Sequence, residues 1–166
     1  MKKCIALLLA GLTALMVLAL AACGQKEPEP EPRRFELSDV QMLADEGTFS
    51  EELEALDADI AFALYHLADY GLTLKDLTDA AVLRSAGATC EEAAVLLFDV
   101  DDWDKKTEKA VEALEDYLQS QIDSNQNYRP DEIPKLENAL VEARGNRVVL
   151  VVASDMEKAK ELLEID

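Results

Sequence analysis

Leu140–Ala153 reads LVEARGNRVVLVVA, and this stretch reads as a β-hairpin. Gly145-Asn146 is a two-residue turn signal of the primed type, flanked by segments suited to strands. Strands are expected over Leu140–Arg144 and Arg147–Ala153. Val148–Val152 has no polar alternation, which predicts a strand covered on both faces. Ala93–Val100 (AAVLLFDV) has the same character and predicts a second central strand. A shorter strand is expected over Asp79–Ser85 (DAAVLRS), with Gly87 marking the turn between the two.

Working outward, Asp101–Asn125 carries the clearest helical period. Trp103, Ala110, Val111, Leu114, Leu118 and Ile122 form one stripe, and Asp101 and Asp102 are expected to cap it. Pro130 and Pro134 break the chain, leaving a short turn at Lys135–Asn138. Ser154-Asp155-Met156-Glu157 has the form of a capping box for a last helix carrying Met156, Ala159, Leu162 and Leu163. Upstream, Ser50-Glu51-Glu52-Leu53 reads as a helix start. Leu53, Leu56, Ile60, Leu64 and Leu67 then predict one or two helices over about 50–69. The expected fold is α+β: a single small domain with a four-stranded, mainly antiparallel sheet in β-β-α-β-β-α order. Its N-terminal helices pack on that sheet, with helices over one face.

The amino terminus reads MKKCIALLLAGLTALMVLALAACGQ. Lys2 and Lys3 form a positive start, and from Ile5 to Ala22 only Gly11 and Thr13 are not apolar. Leu20-Ala21-Ala22-Cys23 is similar to the lipobox of bacterial lipoproteins. That resemblance implies cleavage between Ala22 and Cys23, lipidation of the Cys23 thiol, and a palmitate-type anchor. A single acyl chain holds a bilayer marginally and two hold it stably. An uncleaved membrane helix is the alternative, since the run is about long enough to span. Residues 1–22 are thus expected to be a lipoprotein signal peptide. Residues 23–49 are expected to be the lipidated cysteine and a tether, and 50–166 the α+β domain. Gly24–Arg34 (GQKEPEPEPRR) cannot form a helix or a central strand. It predicts a stiff spacer of roughly 3 Å per residue, on the order of 35 Å. Phe35–Phe49 is expected to dock loosely.

The 166 residues carry 35 acids against 16 lysines and arginines, a net charge of −19. Removing Lys2 and Lys3 with the signal peptide leaves 14 basic residues and a balance of −21. Such a surface repels nucleic acid and anionic lipid. It also argues against a basic amphipathic helix as a route to the membrane.

Asp79–Ser85 leads into Ala86–Glu92 (AGATCEE), followed by Tyr128–Ala139 (YRPDEIPKLENA) and Gly145–Ala153 (GNRVVLVVA). Together with the lipobox, these stretches resemble the uncharacterised Gram-positive lipoproteins grouped as domain-of-unknown-function family 4358. The resemblance spans most of about 50–165. It implies a surface lipoprotein and no particular activity. The family pattern has a small apolar residue where Cys90 stands.

The chemistry-bearing residues are few. Cys90 is the one cysteine of the expected domain, so no disulfide can form within it. Its neighbours Glu91 and Glu92 disfavour a thiolate, and the residue reads as a small buried or half-buried hydrophobe. His66 is the only histidine and reads as a helix-surface residue. With no second histidine, an ordinary zinc site is not expected. Asp99, Asp101, Asp102 and Asp104 (DVDDWD) alternate as calcium ligands do. Trp103 and Ala110, however, stand where an EF-hand needs oxygen ligands, so the acids read as helix-capping residues. Ser120 and Ser124 lack a nucleophile elbow. Tyr65, Tyr70, Tyr117 and Tyr128 are candidates to line a small groove. No catalytic residue, cofactor or metal is therefore expected. The sequence points to a lipid-anchored, extracytoplasmic, non-enzymatic module that binds an envelope protein or a small ligand. An envelope hydrolase with a carboxylate site is the alternative.

Overall fold

The computed structural model describes residues 32–165. The lipobox, Ala22, Cys23 and the Glu-Pro run up to Glu31 lie outside the described residues. Among the described residues, no helix is long and apolar enough to cross a membrane.

One antiparallel sheet organises the domain, in the order β1-β2-β3-β5-β4. Its strands are β1 (Glu54–Leu56), β2 (Leu77–Arg84), β3 (Glu92–Phe98), β4 (Leu140–Arg144) and β5 (Arg147–Val152). Five helices accompany it among the described residues: α1 (Ser38–Asp45), α2 (Ala58–Leu64), α3 (Trp103–Asn125), α4 (Ile133–Glu137) and α5 (Met156–Leu163). The central pair is β3 and β5, as their unbroken apolar character predicts. Val95 lies opposite Val149 and Leu96 opposite Val148. The β4–β5 turn falls at Gly145-Asn146, and only Gly145 has positive φ, +60°, as the first central residue of a type II′ turn requires. Asn146 then ties the turn to β3: its amide donates to the Phe98 carbonyl at 2.6 Å and its carbonyl accepts from Phe98 N–H at 2.9 Å.

The sheet has five strands, not four. The additional strand, β1, lies inside the segment expected to be helical. Glu54, Ala55 and Leu56 pair with Arg84, Leu83 and Val82 on the open edge of β2. Edge pairing overrides helix propensity over three residues. The helix therefore begins at Ala58, and its register is shifted from the predicted stripe. Ala61 and Tyr65 are fully buried, while Ile60 is 51% exposed.

Helices cover both faces of the sheet, not one. Ala94, Leu96, Val148 and Leu150 face α3, with Leu114 beneath them. Ala93, Val95, Val149 and Val151 face the opposite way, against Val40 and Leu43 of α1 and Ala159 and Leu163 of α5. Two apolar faces on the central strands require two covering layers. For the same reason Phe35–Phe49 does not dock loosely. Phe35, Val40 and Leu43 are core residues, and the Arg144 guanidinium sits 4.5 Å over the Phe35 ring. Arg33, expected in the spacer, pairs with Asp39 at 2.9 Å and donates to the Leu162 carbonyl at 2.9 Å. Packing is thus continuous from Arg33 onward, well before residue 50.

Two caps also differ from expectation. Asp102 precedes α3 at φ +52° and makes no side-chain cap bond, and Trp103 is 42% exposed, off the buried stripe. At α5 the cap is Asp155, which accepts from Lys158 N–H at 3.0 Å. Ser154 turns away to a different task.

Candidate functional site

Glu91 and Glu92 stand at the start of β3, and strand alternation sends them to opposite sides of the sheet. Both are buried. Glu91 meets donors from three distant parts of the chain: Ser50 through its N–H and hydroxyl, each at 2.8 Å, the Ser154 hydroxyl, and Lys135 Nζ at 2.9 Å. Burial pushes its carboxyl up, but the bonds from Ser154, Lys135 and Ser50 outweigh that and hold it below its ordinary value. Lys135 also reaches Glu132 at 3.1 Å, and Glu132 accepts the Cys90 N–H at 2.9 Å. Arg129 donates to the Thr89 carbonyl at 3.0 Å. Two sequence stretches far apart in the chain, Ala86–Glu92 and Tyr128–Ala139, are therefore stitched together at one corner of the sheet.

Glu92 faces α3. It accepts from the Tyr65 hydroxyl at 2.5 Å and the Tyr117 hydroxyl at 2.8 Å, with Arg84 Nε at 3.4 Å. Burial raises its carboxyl above the ordinary range, and these partners only partly offset the effect. The Tyr65 and Tyr117 rings meet edge to face, 5.1 Å apart. Burial and the adjacent carboxylate push both phenols up.

Two depressions open over this arrangement. A groove of about 540 Å³ lies between α2 and α3, with Leu64, Tyr70, Ala113 and Tyr117 among its walls. Tyr70 donates to Asp116 at its rim, a bond that raises the Tyr70 phenol to about 12. A cleft of about 330 Å³ lies beyond, walled by Arg84, Cys90, Arg129 and the Ser85–Thr89 turn. Gln121 lines both. The turn is held from within: Ser85 Oγ accepts from Gly87 N–H and Thr89 N–H, and both Ser85 and Thr89 hydroxyls donate to Glu51. Gly87, at φ +120°, supplies the backbone freedom this turn requires.

Of the tyrosines singled out in the sequence, Tyr65, Tyr70 and Tyr117 meet at the groove, while Tyr128 is 87% exposed and stands apart. Ser120 lines the groove and Ser124 is exposed. His66 is exposed, its Nδ1 3.6 Å from Asp69 at the groove's edge. Cys90 is half-buried in the cleft wall, and burial raises its thiol. In DVDDWD, the Asp99 carboxylate takes Lys106, which also meets Asp76 at 3.2 Å. Among the described residues, no group of three His, Cys, Asp or Glu side chains is placed to hold a metal. Sequence reading missed Arg84, Arg129 and Gln121, which carry no local pattern. The one visible signal was two successive acids opening a strand otherwise apolar on both faces.

A family model described as a domain of unknown function, DUF4358, matches residues 67–153, just over half of the chain. The chain belongs to the DUF4358 family. No curated protein and no solved structure shows significant similarity to it. The matched DUF4358 span contains Arg84, Cys90, Glu91, Glu92, Tyr117, Gln121 and Arg129. Ser50, Tyr65 and Ser154, which complete the two buried carboxylate networks, and Glu51, which holds the Ser85–Thr89 turn, come from the flanks.

Proposed function

We propose that this DUF4358 protein is a lipid-anchored binding module on the extracytoplasmic face of a bacterial membrane, with its ligand seated in the groove and cleft that meet at Gln121. The observation that carries the binding site is the side-by-side pair of concavities, one walled by tyrosine rings and the other by two guanidinium groups. A small number of polar groups converging on a partly apolar concavity is the usual form of a small-molecule site. The anchor rests on the lipobox-like Leu20–Cys23 and its basic, apolar leader.

Binding is favoured over hydrolysis by the state of the two buried carboxylates. Glu91 is surrounded by donors from Ser50, Ser154 and Lys135, and Glu92 by Tyr65, Tyr117 and Arg84. Both are engaged by the domain's own side chains at that corner, which supports a structural part for them in a binding module.

Metabolic labelling with an alkyne palmitate tests the anchor. Wild type should take up label and partition into detergent, while Cys23→Ala should do neither. Equal labelling of Cys23→Ala contradicts the anchor.

A further inference from the structure

We infer that the Arg84–Arg129 cleft is an oxyanion subsite, taking the carboxylate or phosphate head of a small ligand whose apolar body lies in the tyrosine groove. The inference rests on the binding reading above and specifies the chemistry of that site.

Charge distribution makes the cleft unusual. Acids outnumber lysines and arginines 35 to 16 in this chain, so an arginine set in a cleft wall without a carboxylate partner stands out from the surrounding charge. Arg33, Arg144 and Arg147 each pair with a carboxylate. Arg129 pairs with none among the described residues; its Nη1 spends one bond on the Thr89 carbonyl, which fixes the side chain in the cleft wall. Arg84 meets Glu92 through Nε at 3.4 Å, and the Tyr117 hydroxyl also engages its guanidinium. Arg129 thus keeps donors for a ligand, in the planar geometry that matches carboxylate and phosphate, and Arg84 adds positive charge to the same wall.

The nearby acids are largely occupied. Glu51 is held by the Ser85 and Thr89 hydroxyls, Glu132 by Cys90 N–H and Lys135, and Glu92 by two tyrosines. Glu54 is exposed at the rim. The Cys90 thiol, in the same wall, feels Arg129, Arg84 and Lys135, with Glu132 opposing them. Gln121 joins the cleft to the groove, so a ligand with its head on the arginines has Tyr70, Ala113 and Leu64 within the adjoining space for its body.

Cys90 is a reporter already in place. In the full-length chain carrying Cys4→Ala and Cys23→Ala, in non-ionic detergent, it is the sole thiol. Alkylation by iodoacetate, an anion, is compared with alkylation by neutral iodoacetamide, because the ratio of the two rates cancels changes in thiol ionisation. At low ionic strength the ratio should exceed that of the urea-unfolded chain by about threefold or more. Arg129→Gln should abolish the excess, Arg129→Lys should keep most of it, and Arg147→Gln should leave it unchanged. In the same assay 3-phenylpropionate should slow alkylation of the folded chain but not of Arg129→Gln, and 3-phenylpropionamide should protect neither. Phenyl phosphate in its place tells a phosphate head from a carboxylate. A ratio equal in wild type and Arg129→Gln overturns the subsite, as does equal protection by acid and amide, which would leave the groove standing. An Arg129-dependent ratio without protection by any aryl probe overturns the groove instead.

Discussion

Lys135 Nζ lies 2.9 Å from Glu91 and 3.1 Å from Glu132, so a single ammonium ties the start of β3 to the connector that follows α3. Glu91 is wholly covered, which makes this contact different from a surface ion pair. Removing one partner leaves a buried carboxylate short of its charge. Lys135→Met should therefore destabilise by about 2–4 kcal/mol, measured by urea unfolding. Adding Glu91→Gln to it should cost less than the two single changes together, since the stranded charge is then gone. Additive costs would mean that the pair is not coupled.

The two neighbouring glutamates give opposite pH signatures. Burial lifts Glu92 above its ordinary value of 4.5, so the fold favours its neutral form. That contribution is complete below about pH 4.5 and is lost as pH rises through the elevated folded value. Glu91 is held below 4.5, so its contribution is present above that value and is lost as pH falls through the depressed one. Thermal melts should show a loss of stability from this group as pH rises above its ordinary 4.5, and Glu92→Gln should flatten that limb. Glu91→Gln should instead flatten the loss at the acid end. A Glu92→Gln profile parallel to wild type would contradict the assignment.

Leu114 and Ile60 separate the observed packing from the spacing seen in the sequence. Leu114 lies fully buried under the sheet, whereas Ile60 is half exposed. Leu114→Ala should cost about 2–5 kcal/mol, and Ile60→Ala should stay within about 0.5 kcal/mol. Comparable costs would place Ile60 in the core after all.

Gly145 has φ +60°, with the Arg34 guanidinium nearest to where a Cβ would stand, at an ordinary 3.7 Å. The penalty there is backbone strain and not a clash. Gly145→Val should lower stability by about 1–3 kcal/mol, since the first central position of a type II′ turn strains any residue with a Cβ. An unchanged melting temperature would mean the turn does not demand positive φ.

Those contrasts show what the sequence made legible. Val148–Val152 and Ala93–Phe98 are apolar without alternation, and that alone places β5 and β3 at the sheet centre. Leu114 and Leu118 follow a 3.6-residue period long enough to define α3. β1 was hidden because three residues carry too little pattern to outvote the helical spacing around them. α1 was hidden because its buried residues, Val40 and Leu43, are few and are mixed with acids. The site was hidden for another reason. Thr89 and Arg129 are 40 residues apart and Ser50 and Glu91 are 41 apart, and only tertiary folding sets each pair side by side.

The central claim is that one small ligand occupies the joined groove and cleft. Amide chemical-shift mapping of the isotope-labelled chain during titration with 3-phenylpropionate tests it directly. The account predicts shifts clustered at Leu64–Tyr70, Ser85–Cys90, Ala113–Gln121 and Arg129, with the α1 and α5 face silent. Shifts confined to α1 and α5, or spread evenly over the surface, would contradict it.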